Sequence, residues 1–143
     1  SLLHTPGYLA EEAENAGRAE ALLEIVGLRE LGGELAKNLP HGHQRALGVA
    51  IAMASDPILL MLDEPLTGMN REEASAMAGI IRKIRGKGIT IVLVEHDMRA
   101  VMGLCDRIAV LNYGNKIAEG SPEEIRENRE VIEAYLGTEA RDA

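Results

Sequence analysis

The sequence predicts an α/β fold built around parallel strands. Two features carry that expectation. The apolar runs Ile58–Leu62 and "ITIVLVEH" from Ile89 are continuous rather than alternating, as suits parallel strands buried on both faces. Helical patterns separate these runs from each other and from a third β run at "RIAVL". Strand, helix, strand, helix, strand in that order favours a layered parallel sheet.

The elements follow in chain order. Leu9, Ala13, Ala16, Leu23 and Val26 fall near helical spacing among Glu11, Glu12, Glu14 and Glu20, an acidic amphipathic helix ending near Gly27. "LGGELAKNLPHGH" is loop-like. Residues 42–54 read as a mostly buried helix stopped by Asp56-Pro57. After the strand at 58–62, Asn70 caps a helix with Glu73 three residues on, close to a capping box. "GKG" from Gly86 closes that helix before the strand at Ile89, and Asp97 opens a short helix to Leu104. Asn112-Tyr113-Gly114-Asn115 marks a hairpin. Ser121-Pro122-Glu123-Glu124 starts a helix, and a last one covers about 131–136.

Composition narrows the function. The chain has 143 residues, no Phe or Trp, three Tyr and a net charge of −8. That size makes one domain or a piece of one, and a compact chain of this length buries roughly 70% of its unfolded surface. Nucleic-acid binding needs a basic face, and single strands need aromatic platforms; neither is visible, so no nucleic-acid partner is expected. Cys105 is the single cysteine and can form no internal disulfide. No apolar run reaches the ~20 residues of a membrane helix, and the opening segment is too polar for a signal peptide. The first residue is Ser rather than Met, so a processed or truncated chain is expected.

The candidate chemistry lies at the strand ends. "ILLMLDEPLTGMN" ends a buried strand on Asp63 and Glu64, and the second strand ends on Glu95-His96-Asp97. Ligands of open parallel sheets gather at the carboxyl edge. Two carboxylates there repel unless a cation or proton offsets them, and Mg2+ with phosphate oxygens would do so. The plainer alternative is that strands must end somewhere and acids cap helices. Asp97 fits that well; Asp63 and Glu64 fit it less, because Pro65 and Gly68 intervene before the next helix.

These stretches together resemble the motifs of ATP-binding cassette (ABC) ATPases. "ILLMLDEP" is similar to the Walker B strand, "LTGMN" to the D-loop, "TIVLVEHD" to the strand entering the switch histidine, and "LPHGHQR" stands where LSGGQ belongs. The resemblance implies an incomplete P-loop NTPase core. Residues 1–55 would be part of the helical subdomain with the LSGGQ-like loop, and residues 56–143 part of the nucleotide-binding core. It implies that Asp63 holds Mg2+ through water, that Glu64 is the general base, and that His96 contacts the γ-phosphate of ATP. It places Leu39, Pro40, His41, Gly42, His43 and Gln44 against nucleotide held by a second ATPase subunit, and Asn70 at the D-loop aspartate position, where it also reads as a helix cap. Pro40, His41 and His43 depart from the family's Ser, Gly and Gln, which weakens or changes that phosphate grip.

No G-x-x-x-x-G-K-[ST] occurs in the chain, and the glutamine loop is missing too. The expected sheet therefore lacks its P-loop strand: it has a central gap or its strands close up, and open apolar edges invite association. The chain alone is expected to be inactive. "HDM…VM", "IAEGSPEEI" and "VIEAYLG" are similar to the ATP-binding subunits of branched-chain amino acid uptake systems, which implies membrane permease partners on the cytoplasmic face of the inner membrane. Substrate choice in such systems lies in other subunits. Two other readings stay open: a non-catalytic half-cassette acting as an interaction module, and a soluble non-transport ABC ATPase.

Overall fold

The computed structural model describes residues 6–136, and of Pro6 and Leu136 the backbone only. The chain forms two compact units that divide between Val94 and Glu95.

The first unit holds three helices and a parallel strand pair. Helix α1 spans Pro6–Ile25, and Gly27 follows it at φ 73°, a left-handed ending that glycine adopts without strain. The expected apolar stripe is only partly used. Leu9, Ala13 and Ala16 are exposed, while Leu23 is half-buried and Val26 buried. The N-terminal turns of α1 therefore lie in solvent, and its C-terminal turn meets the core. A 3-10 turn at Arg29–Leu31 leads into the segment read as loop, a second at Ala36–Asn38 lies within it, and its last three residues already belong to the helix that begins at His41.

Helix α2, His41–Met53, buries Gly42, Ala46, Val49, Ala50 and Met53. It is not mostly buried as expected: Ile51 is 67% exposed. One stripe packs, and the small residues elsewhere give the sequence an apolar look without a covered surface. Strand β1, Leu59–Asp63, pairs in parallel with β2, Thr90–Val94. Helix α3, Arg71–Gly86, joins them and buries Met77, Ile80, Ile81 and Ile84. Asn70 caps α3 as its sequence predicts: its side chain accepts from the N–H groups of Glu72 and Glu73, and Glu73 accepts from the Asn70 N–H.

The strands are covered on one face only. Leu60 is buried and Leu62, Ile91 and Leu93 are half-buried, whereas Leu59, Met61, Val92 and Val94 are 41–69% exposed. The expectation of burial on both faces is thus corrected. Alternate side chains point to opposite faces, and the helices of this unit pack against one of them.

The second unit contains helix α4 (Met98–Leu104), the antiparallel strands β3 (Ile108–Asn112) and β4 (Asn115–Gly120), and the short helices α5 (Pro122–Glu127) and α6 (Arg129–Val131), the last continuing as one wide turn to Leu136. Tyr113 at φ 46° and Gly114 at φ 80° make the hairpin turn, the type I′ geometry that matches strand twist. The core joins Val101, Ile108, Val110, Ile125 and Val131. The Tyr135 hydroxyl donates to the Leu111 carbonyl. Strand β3 pairs antiparallel with β4 alone, so the described strands form two two-stranded sheets, and the third strand of the expected parallel layer stands instead in a hairpin.

Two outcomes follow from these contacts. Asn70→Ala removes the side-chain acceptor of the Glu72 and Glu73 N–H groups while keeping the backbone N–H that Glu73 accepts, and chemical denaturation should show a loss of about 1 kcal/mol. Lys116 and Arg107 both bond the Glu119 carboxylate, Lys116 with the larger effect, and hold it below the usual glutamate range. A depressed carboxyl contributes stability above its unfolded pKa and loses it as pH falls through the folded one. An NMR titration should place Glu119 below an ordinary glutamate, and Lys116→Ala should move it back up.

Candidate functional site

The parallel register sets Asp63 opposite Val94, so both strands present their carboxyl ends at one edge. Asp63 closes β1 with its side chain exposed. The Glu64 N–H then donates to the Val94 carbonyl at 2.8 Å, one rung beyond the strand. There the chain leaves the sheet. Glu64 sits at φ 45°, a left-handed conformation that costs a residue with a side chain roughly 1–2 kcal/mol. Strain of this kind concentrates at functional sites. The Thr67 N–H donates to the Glu64 carbonyl at 3.2 Å, and the Thr67 hydroxyl donates to Glu64 Oε2 at 3.2 Å. Pro65 is buried beneath the turn. The structure thus turns the Glu64 side chain into a held position at the sheet edge, beside Asp63.

The stretch from Leu39 to Gln44 forms the entry to α2. Leu39 is buried, and Pro40, with φ −54° and ψ 153°, is the residue before the first helical turn. Pro40 makes no side-chain cap bond. Gln44 Nε2 donates to the Leu39 carbonyl at 2.8 Å, so this amide is turned back onto its own loop. His41 and His43 are exposed. Gly42 is buried because α3 begins beside it: a Cβ there would stand 3.0 Å from Glu73 Oε1 and 3.2 Å from Glu73 Cδ. A cleft of about 320 Å³ lies between α2 and α3, lined by Val26, Gly42, His43, Met69, Glu73 and Lys83 among others.

Asp63, Glu64, Asn70 and residues 39–44 all belong to the first unit. His96 belongs to the second, where it is exposed, and Asp97 next to it caps α4 by accepting from the Arg99 and Ala100 N–H groups at 2.9 and 3.3 Å. The structure adds two residues that sequence reasoning passed over. Thr67 holds the Glu64 carboxylate, and Arg45 Nη1 donates to the Glu64 carbonyl at 2.6 Å. Arg45 stands out in sequence only as the single charged side chain of α2.

Among the described residues no group of three or more His, Cys, Asp or Glu side chains is placed to hold a metal ion. The donor set at the strand edge is Asp63 with Glu64 beside it. Such a set fits Mg2+, which keeps several waters and takes one or two carboxylates plus phosphate oxygens. It does not fit an ion caged by protein alone.

Comparison with known proteins agrees with this layout. Residues 115–141 match the family model described as "Branched-chain amino acid ATP-binding cassette transporter". The chain is 46% identical over 137 residues to the high-affinity branched-chain amino acid transport ATP-binding protein LivG of Salmonella typhimurium, covering 95% of this chain and 54% of that protein. The chain matches the C-terminal half of an ABC transporter ATP-binding protein. BraF of Pseudomonas aeruginosa, with a name of the same description, is 42% identical over the same share. Among solved structures, the ADP conformation of an ATP-binding cassette of an ABC transporter aligns with a TM-score of 0.78 and 26% identity, over 87% of this chain and 50% of that one. A component of the cbiONQ ABC transporter complex from Clostridium perfringens aligns at 0.76 and 28%, over 85% and 49%. The half-cassette therefore spans about half the length of the relatives it matches, and its fold is a partial P-loop NTPase fold.

The packing of Gly42 on Glu73 gives a sign test. With Glu73→Ala already in place, Gly42→Ala should stabilise by up to ~1 kcal/mol, because alanine is the better helix former. With Glu73 present that gain should vanish, since the new methyl displaces the capping carboxylate. A double-mutant denaturation cycle should return a coupling of at least about 0.5 kcal/mol.

Proposed function

We propose that this half-cassette carries the hydrolytic half of an ATP-driven importer subunit, for branched-chain amino acids. One observation carries the reading: Asp63 and the left-handed Glu64 stand together at the carboxyl edge of a parallel strand pair, in a sequence 46% identical to LivG over 95% of its length. Asp63 would hold Mg2+ through water, and bound ATP would supply the phosphoryl group whose transfer to water releases the energy. Glu64 takes a proton from the attacking water, a role that typically contributes about 10²–10⁴ in rate. Its held carboxylate, bonded by Thr67, suits a base that must keep one orientation. His96, two residues beyond β2, addresses the γ-phosphate. Asn70 shapes the D-loop while capping α3.

The entry to α2, Leu39 through Gln44, serves the nucleotide of a second ATPase subunit. Helix N-termini offer free N–H groups and the positive dipole end to anions, and the chain there is already ordered by Pro40 and Gly42. His41 and His43, both exposed, take the places where the family carries Gly and Gln. No helix of the described residues is long and apolar enough to cross a membrane. In this reading the protein sits against permease subunits on the cytoplasmic face of the inner membrane.

The P-loop must come from outside the 143 residues, since the sequence contains none. Mixing the chain with a polypeptide carrying the N-terminal half of LivG should produce Mg-ATP hydrolysis that neither half shows alone. Glu64→Gln should lower that turnover by about 10² or more while leaving nucleotide binding in place. Stable binding of the two halves without any turnover would favour the interaction-module reading. Turnover by the chain alone would refute the need for an outside P-loop.

A further inference from the structure

Glu64 cannot hold its backbone conformation by itself. At φ 45° the turn after β1 is disfavoured for any residue with a side chain, and it persists where surrounding contacts over-determine it. Two of those contacts come from the turn and its strand pairing, Thr67 and Val94. The third does not. Arg45 reaches from the second turn of α2, nineteen residues back in the chain, and donates to the Glu64 carbonyl at 2.6 Å. A charged donor makes a bond roughly twice as strong as a neutral one. Arg45 also lines a hollow of about 280 Å³ together with Met61, Leu62, Asp63 and Pro65. A fixed cation thus shares one hollow with the first of the two carboxylates and bonds the backbone of the second.

We propose that Arg45 is a positioning residue for Glu64. It pins the left-handed turn that aims the carboxylate, and it does so from the helix that begins at residues 39–44. This rests on the reading of Glu64 as general base and extends it. The entry of α2 serves a partner's nucleotide, whereas Glu64 serves the nucleotide bound beside its own strand. Arg45 is the side chain on α2 that touches both assignments: it moves with the first and holds the second. A shift of α2 when its entry engages phosphate therefore reaches Glu64 through a single bond. Lysine at this position keeps a charged donor but loses the guanidinium's reach and fork; alanine loses both.

Two measurements on the same variants test this. In the 143-residue chain, amide exchange by NMR should show the Glu64 and Thr67 N–H groups losing about tenfold protection in Arg45→Ala, a weakening of local structure alone. Arg45→Lys should recover part of it, with amides of the α3 core unchanged in both. Unaltered Glu64 protection in Arg45→Ala would overturn the proposal. In the mixture with the LivG N-terminal half, Arg45→Ala should lower kcat by about 10- to 100-fold with KM for ATP within about twofold, and Arg45→Lys should restore part of kcat. Loss of turnover in Glu64→Gln with full kcat in Arg45→Ala would overturn the role of Arg45 and leave the proposed function standing. Full turnover in Glu64→Gln would remove both.

Discussion

The parallel pairing of β1 with β2 is the constraint on which the rest depends. Five residue pairs, from Leu59 with Thr90 to Asp63 with Val94, fix where each strand ends. Because side chains alternate, a one-residue slip would turn Leu60 and Leu62 out of the core and bring Met61 and Asp63 in. The register therefore decides at once which aliphatic side chains meet α2 and α3 and which carboxylate stands at the rim. The bond from the Glu64 N–H to Val94 closes the ladder, and the left-handed turn begins on the next bond.

Around that pair the first unit is assembled from caps and close approaches more than from large side chains. It has no aromatic core, and one close junction is a glycine at the start of α2 lying against a glutamate at the start of α3. That glutamate is already committed to the Asn70 cap. One carboxylate thus ends a helix, limits the size of its neighbour and fixes the approach of two elements. The second unit solves the same problem differently, with a small aliphatic core, a type I′ hairpin, and a tyrosine hydroxyl tying its last described turn to β3.

Much of this was legible in the sequence because the signals are local. Asn70 with Glu73, Ser121 with Glu124, and Asn112 through Asn115 each announce their geometry within four residues, and each forms as read. The strand that ends on Asp63 was legible from its apolar run. What escaped depends on chain folding back. Arg45 and Thr67 hold Glu64 through backbone and hydroxyl contacts that no periodicity records. The α1 stripe and the small-residue helix α2 look more buried in sequence than they are, because hydrophobic spacing says which face would pack and not how much surface is there to receive it. The two apolar strands misled in the same way: composition fits two covered faces, and one is covered. His96 was singled out from the strand before it and its neighbours in sequence, and it lies in the second unit while Asp63 and Glu64 lie in the first.

The uncovered face of the strand pair has a cost of its own. Leu59, Met61, Val92 and Val94 lie side by side in adjoining strands, more than two-fifths exposed each, in a chain whose eightfold negative charge resides elsewhere. To a chaperone or a protease such an aliphatic shelf is indistinguishable from unfinished folding. Covering that shelf would remove the exposed aliphatic surface on which aggregation and chaperone capture act.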